Sequence, residues 1–357
     1  MTSMTKYYPL LNILRSALFG QMAKVQHNGN RVVVLAEAEK QTVAPMVFQV
    51  LAETDVKLPS EVVFQQVGTQ ELVAQRNALL NEQVVSLAQL FQKNEIDYAI
   101  VKGQVVASYY PKPQLRNSGD VDFFCDEKNY SKAMDALHRE WGVNIDRGNG
   151  EFHDSFDFHG VRFEMHHTLT NFYSKSKDLY WKKMLTEFPY YSVNIRGCDV
   201  NTLHPTIHSL YIFVHLYHHL LELGIGLRQF CDWAMILHTC KDEIDHEAIR
   251  KYLKVLGLEN AYRACGVLLV RNLGLPANEF TYEFADYDMR YADKILDVVF
   301  YRGNMGHYNK RQSSFQGWKH KIESTAIKLS HFIKFYPLAP SFMRDWAWNV
   351  VRKKIIA

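Results

Sequence analysis

The sequence lacks the features that mark secreted and membrane-spanning proteins. Its 357 residues include only five cysteines, and no two of these form a Cys-x-x-Cys pair. A scattered, odd-numbered set of cysteines is typical of reduced thiols, so we expect a cytoplasmic protein. The sequence does not begin with a basic segment followed by an apolar stretch, so we predict no signal peptide. The apolar run at 210–221 is interrupted by three histidines, so no transmembrane segment is predicted.

The sequence also lacks an excess of charge of either sign. Lys and Arg number 41 and Asp and Glu number 38, which gives a net charge of +3. Dedicated nucleic-acid-binding proteins usually have a strongly basic face, and this balance argues against that class. Apolar residues make up 47% of the chain, a content typical of packed globular proteins. The length allows two or three domains.

The most informative stretch covers residues 98–124. An apolar segment at 98–101 predicts a strand, which Lys102 and Gly103 end. A short helix is predicted at 104–110, a proline-bearing loop at 111–119 and a second strand at 120–125. Asp120 and Asp122 alternate with apolar residues in this second strand, so both carboxylates project from one face. Adjacent carboxylates raise each other's cost of ionisation, and Mg2+ between them removes that cost.

This stretch resembles the active-site signature of the DNA polymerase β-type nucleotidyltransferase superfamily. There, a strand–Gly–helix turn holds the triphosphate and an Asp-x-Asp strand holds the metal ions. The closest resemblance is to a bacterial family of uncharacterised nucleotidyltransferases with the pattern KG, YP and R..GD(V/I)D. The matching residues are Lys102-Gly103, Tyr110-Pro111, Arg116 and Gly119-Asp120-Val121-Asp122. Gln104 follows Gly103 where the superfamily usually has serine, so the serine that contacts a phosphate is absent.

The resemblance implies a reaction and a set of site residues. An acceptor hydroxyl or phosphate attacks the α-phosphorus of an NTP, NMP is transferred and pyrophosphate leaves. Two Mg2+ or Mn2+ ions roughly 4 Å apart would bridge the attacking and leaving oxygens. The implied catalytic residues and metal ligands are Asp120, Asp122 and Glu164. The implied nucleotide-binding residues are Lys102, Gly103, Arg116 and Ser118.

The third carboxylate is assigned within a predicted hairpin. Strands are predicted at 152–158 and 161–167, joined by His159-Gly160. Glu164 shares one strand face with Arg162 and His166, and it matches the acidic position in the family pattern. Asp157 on the partner strand is the alternative, and a salt bridge to Arg162 is the alternative role for Glu164. We leave His166 and His167 outside the metal set.

The flanking regions are predicted to be helical, which makes the fold class α+β. A helical region at 1–95, with helices predicted at 32–54 and 69–94, precedes a nucleotidyltransferase core with a small mixed sheet at 96–203. A helical domain follows at 204–357. Within it, Arg228 and Asp232 are spaced i, i+4, so they either form a wall of the cleft or a simple ion pair.

Two further patterns in the helical domain have a structural and a functional interpretation. His208, His215 and His219 share one helix face, and one interpretation is a zinc site. Zinc sites normally take ligands from more than one element, so we favour the other interpretation, a polar helix face near a cleft. The C-terminal segment combines Trp346 and Trp348 with basic residues at 352–354. It could lie on a membrane surface, although packing onto the helical domain is the commoner outcome.

Three functions therefore remain open. The first is metal-dependent NMP transfer from an NTP to an unidentified small-molecule acceptor. The second is a non-catalytic module that binds a nucleotide or phosphate, which the missing serine favours and the acidic trio opposes. The third is a toxin-like nucleotidyltransferase that modifies a protein.

Overall fold

The computed structural model describes residues 7–21, 31–54, 57–146, 153–222, 224–304 and 318–356. The N-terminal helices are α1 (Tyr8–Phe19), α2 (Arg31–Lys40), α3 (Ala44–Ala52) and α4 (Ser60–Lys93). The prediction of a single helix at 32–54 is wrong, because the chain turns between α2 and α3. Thr42 has a positive φ of 57° there, and Pro45 lies in the first turn of α3, where its missing N–H costs no hydrogen bond.

One six-stranded mixed sheet follows, as the sequence predicted. Its strands are β1 (Ala99–Ile100), β2 (Val121–Phe124), β3 (His153–Phe158), β4 (Val161–His166), β5 (Tyr191–Ile195) and β6 (Cys198–Thr202). Their spatial order is β3-β4-β2-β1-β6-β5. The β2–β4 and β1–β6 pairs are parallel, and the other three pairs are antiparallel.

Two tight hairpins form in the sheet, and the first lies where the sequence analysis predicted it. His159 and Gly160 join β3 to β4, and Arg196 and Gly197 join β5 to β6. All four residues have positive φ, as a two-residue type I′ turn requires. The first hairpin fixes the register in which β4 lies beside β2. The predicted first residue of β3, Phe152, lies outside the described residues.

The two faces of the sheet differ in polarity. Phe123, Phe156 and Phe163 point to one face, where Phe156 and Phe163 stack with ring centroids 4.9 Å apart. Phe91 of α4 packs edge-on against Phe123, so the long helix covers this apolar face. Residues of the alternate phase, including Asp122 and Glu164, project from the other face.

The remaining helices of the described chain follow in order. They are α5 (Gln104–Ser108), α6 (Glu127–Ala136), α7 (Lys175–Met184), α8 (Pro205–Glu222), α9 (Leu227–Thr239), α10 (His246–Leu256), α11 (Glu259–Val267), α12 (Asp286–Arg302), α13 (Trp318–Phe335) and α14 (Pro340–Ile356). Helix α7 was not predicted. π-helical turns extend α6 to Trp141 and α11 to Leu273.

The N-terminal helices pack against the C-terminal helices as well as against the sheet. Arg15 Nε donates to the carbonyl of Asn272 over 2.9 Å. The ring of Tyr7 stacks on Phe300 with centroids 3.8 Å apart. The first and third predicted units are therefore joined by direct contacts across the chain.

The C-terminal helix α14 packs onto the helical layer. Trp346 is buried and its ring stacks on Phe332 of α13, whereas Trp348 is exposed. The side chains of residues 353 and 354, part of the predicted basic cluster, lie outside the described set. Among the helices that the structure describes, none combines the length and apolarity needed to cross a bilayer.

Candidate functional site

The site begins at the sharp turn between β1 and α5. Gly103 has φ 57° and ψ −119°, and a Cβ at this position would lie 3.2 Å from the backbone oxygen of Asp120. Glycine is therefore required for both the conformation and the close approach of the two chain segments. Helix α5 has only five residues and ends before the predicted Tyr110. Any attraction of its N-terminus for a phosphate thus comes from little more than one helical turn.

The predicted carboxylates come together on the polar face of the sheet. Asp122 of β2 and Glu164 of β4 are direct neighbours in the parallel register. Asp120 immediately precedes β2 and is half-buried, while Asp122 is only 2% exposed. Lys102 Nζ lies 2.8 Å from Asp122 Oδ1, and His166 Nε2 lies 2.9 Å from the same oxygen. The Lys102 ammonium is thus held against the carboxylates by an ion pair.

The charges of this group shift one another's pKa values. Burial is the largest single effect and opposes ionisation of both Lys102 and Asp122. Their ion pair, together with the other charges and hydrogen bonds around them, outweighs it, so the pKa of Lys102 is raised and that of Asp122 is lowered. Burial, followed by the charge of Asp122, raises the pKa of Asp120. The same two causes raise the pKa of Glu164 to about 7. One ammonium therefore does not balance the three carboxylates.

A cleft of about 120 Å³ lies between this group and the helices. We call Lys102, Gly103, Asp120 and Asp122, together with Glu164 beside Asp122 on the same sheet face, its sheet wall. We call His215, His219, Arg228 and Asp232 of α8 and α9 its helical wall. A larger groove of about 570 Å³ lies on the surface around Arg250, but it contains none of the sheet-wall residues. The smaller cleft is the better candidate site because the buried charges converge there.

Arg116 and Asp232 form a buried bidentate ion pair at the edge of the cleft. Arg116 Nε lies 2.7 Å from Asp232 Oδ1, and Nη2 lies 2.8 Å from Oδ2. A third donor, Nη1, bonds to Ser118 Oγ over 2.7 Å. Tyr110 also donates to Asp232 Oδ1 over 2.6 Å. Three of the five guanidinium N–H groups of Arg116 are thus engaged within the protein.

This pair fastens the loop after α5 to helix α9. Burial alone would raise the pKa of Asp232, but the Arg116 guanidinium holds the pKa below its ordinary value. The predicted nucleotide-binding residues Arg116 and Ser118 line the cleft, although most of their bonding capacity is directed at each other and at Asp232. The i, i+4 ion pair weighed for Arg228 and Asp232 does not form, because Asp232 pairs with Arg116.

Arg228 retains bonding capacity toward the cleft. Its Nη1 donates to the backbone oxygen of Asn117, and its buried Nε has no hydrogen-bond partner among the described residues. Burial, followed by the charge of Arg116, lowers the pKa of Arg228. Gln104, which stands where the superfamily has serine, points elsewhere: its amide donates to Asn81 of α4 over 2.6 Å. Among the described cations of the cleft, Arg228 is therefore the one with a buried Nε–H donor that is free to bind an anion.

The three histidines considered for zinc do not form one site. His208 is fully buried, and its Nε2 lies 2.7 Å from the carbonyl oxygen of Val101, a structural contact. His215 and His219 both line the cleft, with their Nε2 atoms 3.1 Å apart. The favoured interpretation of a polar helix face beside a cleft thus describes these last two, and no group of three ligands within the described part of the chain includes them.

The two candidates for the third carboxylate lie in different surroundings. Glu164 is partly buried next to Asp122, whereas the side chain of Asp157 is 69% exposed at the end of the hairpin. Asp157 pairs with Arg162 over 2.9 Å, so the salt bridge weighed for Arg162 and Glu164 is not formed. Glu164 is the carboxylate that the fold brings beside the Asp pair.

The sequence analysis left His166 out of the site and did not consider His153, and both histidines lie at it. His166 contacts Asp122, and its Nε2 lies 3.7 Å from Glu164 Oε2. His153 of β3 lies at the same distance from that oxygen through its own Nε2. The position of His166, two residues after Glu164 on the same strand face, was visible in the sequence. The approach of His153 depends on the hairpin register, which the alternation alone did not define.

Comparisons with known proteins identify the family of the chain. A family model described as uncharacterised nucleotidyltransferase matches residues 30–274. No curated protein matches the chain. A solved crystal structure of an antigenic nucleotidyltransferase-like protein from Paracoccidioides brasiliensis is 16% identical, with a TM-score of 0.37, over 57% of this chain and 97% of that one. Since the family match covers more than half of the residues, the chain belongs to the family of uncharacterised nucleotidyltransferases.

Proposed function

We propose that this nucleotidyltransferase moves NMP from an NTP to an acceptor hydroxyl or phosphate, with release of pyrophosphate, in a divalent-metal-dependent reaction. The observation that carries the proposal is a group of three carboxylates: Asp120 and Asp122 line a cleft that also contains cationic side chains, and Glu164 lies beside Asp122 on the neighbouring strand. Carboxylates suit metal ions, and cations suit the phosphates that accompany such ions.

The residues present fit Mg2+ or Mn2+. All three carboxylates offer hard oxygen ligands, and two of them have raised pKa values because burial and mutual repulsion oppose their ionisation. The Lys102 ammonium lies 2.8 Å from one oxygen of Asp122, and this pairing of a cation with the carboxylate supports the proposal. When bound, divalent ions would neutralise the phosphates and make the attacking oxygen a better nucleophile. Asp120, Asp122 and Glu164 are the residues that would hold them.

Other side chains would bind and orient the substrate. Gly103 lets a phosphate approach the backbone closely, and Lys102 and Arg228 would neutralise phosphate charge. Arg116 and Ser118 would hold the loop in place, with the two remaining N–H groups of Arg116 available to a phosphate. Glu164 would act on the attacking oxygen, either as a ligand or as the base that accepts its proton. A carboxyl pKa of about 7 suits a base at neutral pH.

The test is pyrophosphate release from each of the four common NTPs, with Mg2+ or Mn2+, against panels of small-molecule and protein acceptors. We expect release with at least one pair and none without divalent metal. Asp122→Asn should reduce turnover by at least about a thousandfold, since it removes a charge that contacts the metal. Arg228→Gln should mainly weaken NTP binding. Arg196→Gln, in the exposed β5–β6 turn, is the matched control and should behave as wild type.

The same assay separates the alternatives. NTP binding without turnover for any acceptor, and equal binding by wild type and Asp122→Asn, would favour a non-catalytic binding module and contradict transfer. Label transferred to a protein in the panel would identify a toxin-like acceptor. The proposed cellular location is the cytoplasm. All five cysteines are free, which a reducing compartment favours.

A further inference from the structure

Three side chains with metal-binding atoms converge on the polar face of the sheet, one strand away from Asp122. His153 of β3 lies directly opposite His166 of β4, and Glu164 precedes His166 by two residues on the same face. One ligand atom from each of the three lies within 4.8 Å of the other two. The Nε2 atoms of both imidazoles lie 3.7 Å from Glu164 Oε2.

We propose that His153, Glu164 and His166 bind a divalent transition metal of the zinc class. Zinc binds histidine nitrogen and carboxylate oxygen at about 2.0–2.2 Å, which places neighbouring ligand atoms roughly 3.0–3.6 Å apart. Glu164 lies 3.7 Å from each imidazole nitrogen, and the ligand atoms of the two imidazoles lie within 4.8 Å of each other, so the side chains would move inward to hold the ion. The ligands come from two hydrogen-bonded strands, so the backbone already holds them in register.

The donor set distinguishes this metal from magnesium. Two imidazoles and one carboxylate suit zinc, iron, nickel and copper, whereas Mg2+ strongly prefers oxygen ligands and retains water. Asp120 and Asp122 provide oxygen only. The polar face thus offers two kinds of metal site next to each other, and Glu164 is common to both.

The surroundings leave Glu164 without a stronger cationic partner. Arg162 pairs with Asp157, and Lys102 pairs with Asp122, so within the described chain the two imidazoles are the basic groups that approach Glu164 within 4 Å. His166 is 6% exposed, and its Nδ1 has no hydrogen-bond partner among the residues that the structure describes. Its Nε2 carries the hydrogen bond to Asp122, so ligation through Nε2 would exchange that bond for a bond to the metal.

This inference deepens the proposed function, because it rests on Glu164 as a residue of the same site. A zinc-class ion at His153 would hold the Glu164 carboxylate in a fixed, ionised state beside Asp122. As a nitrogen ligand, His153 would then favour binding of a zinc-class ion, and not Mg2+, to the Glu164 carboxylate. Its role would be that of a metal ligand outside the Asp pair.

The experiment measures Zn2+ binding to the metal-stripped full chain by calorimetry, in excess Mg2+ and without NTP. We expect a single zinc ion per chain that Mg2+ does not displace. His153→Ala should weaken this binding by about a hundredfold, a loss consistent with removing one ligand. Co2+ in place of zinc should give a visible absorption spectrum that the variant lacks. Two controls, His138→Ala at an exposed site and His219→Ala at the other histidine pair, should bind as wild type.

Zinc binding unchanged in His153→Ala, lost instead in His219→Ala, or displaced by Mg2+ would overturn the proposal. Far-UV circular dichroism checks that each variant is folded. If His153→Ala does not fold, His153→Gln, which keeps a polar side chain without the imidazole, takes its place. Pyrophosphate release with Mg2+ tests the proposed transfer separately. Zinc binding can therefore fail while transfer stands, and transfer can fail while zinc binds.

Discussion

The two walls of the cleft differ in how their charged groups are paired. On the sheet wall, carboxylates stand beside one another with Lys102 as the ion-pair partner of Asp122, so negative charge is left over. On the helical wall, Asp232 is matched by both ends of the Arg116 guanidinium and by the hydroxyl of Tyr110. The sheet wall therefore has an excess of negative charge that cations would neutralise. At the helical wall, the charge of Asp232 is already neutralised by Arg116.

This difference separates residues that hold the site together from residues that still have capacity for ligands. A satisfied buried pair such as Arg116–Asp232 fixes the position of a loop, and breaking it leaves a buried charge without a partner. Unbalanced groups such as Asp120, Glu164 and Arg228 carry unfavourable interactions that metal ions or phosphates would relieve. The comparison can be tested by removing one charge from each wall.

The largest expected effect is on stability, from the helical wall. Asp232→Asn leaves the Arg116 guanidinium buried without its anionic partner, so the free energy of unfolding should fall by about 3–5 kcal/mol. Urea unfolding followed by circular dichroism measures this. The matched control is Asp157→Asn, which breaks the exposed pair with Arg162 and should cost at most about 1 kcal/mol. Equal losses of unfolding free energy in the two variants would show that the Arg116–Asp232 pair does not hold the loop after α5 against α9.

The sheet wall is also the part that the sequence predicted best. Period-two alternation in β2 and β4 placed Asp122 and Glu164 on the face opposite Phe123 and Phe163, and the hairpin at His159-Gly160 formed where expected. Both signals are local. They follow from backbone geometry within a few residues, so they needed no knowledge of distant packing.

The helical wall could not be predicted in the same way. Asp232 meets Arg116 across 116 positions in the sequence, and nothing in either segment specifies that partner. The i, i+4 spacing pointed instead to Arg228, which bonds to the loop at Asn117. The position of His153 could not be predicted either, because its approach to Glu164 depends on both strand register and side-chain packing.

The second prediction concerns turnover at the sheet wall. Glu164→Gln keeps the shape of the side chain and removes its charge, so it should lower turnover by about a hundredfold, or roughly 2.7 kcal/mol of barrier, the usual scale for a positioned base. NTP affinity should stay within a few-fold of wild type. Pyrophosphate release and calorimetry measure the two quantities. Asp157→Asn should be mild in the same assay; if it abolished turnover while Glu164→Gln did not, the third carboxylate would be Asp157.

The smallest expected effect is the pH dependence of stability in the metal-free protein. Burial, then the charge of Asp122, raises the pKa of Glu164 from 4.5 to about 7. The folded chain therefore holds this proton more tightly than the unfolded chain does. A raised pKa contributes stability that is fully present below the ordinary value and is lost as the pH rises through about 7. Glu164→Gln, which stays neutral, removes this loss.

Metal-free Glu164→Gln should accordingly be more stable than wild type at about pH 8 and closely similar at about pH 5, where wild-type Glu164 is protonated. Because the side chain is partly in contact with solvent, we expect a difference on the order of 1 kcal/mol at the higher pH. Urea midpoints in EDTA at both pH values measure it, with Asp157→Asn as the exposed control that shows no such trend. An equal difference at both pH values would mean that Glu164 is not the group that titrates, and the charge imbalance of the sheet wall would then lie with Asp120.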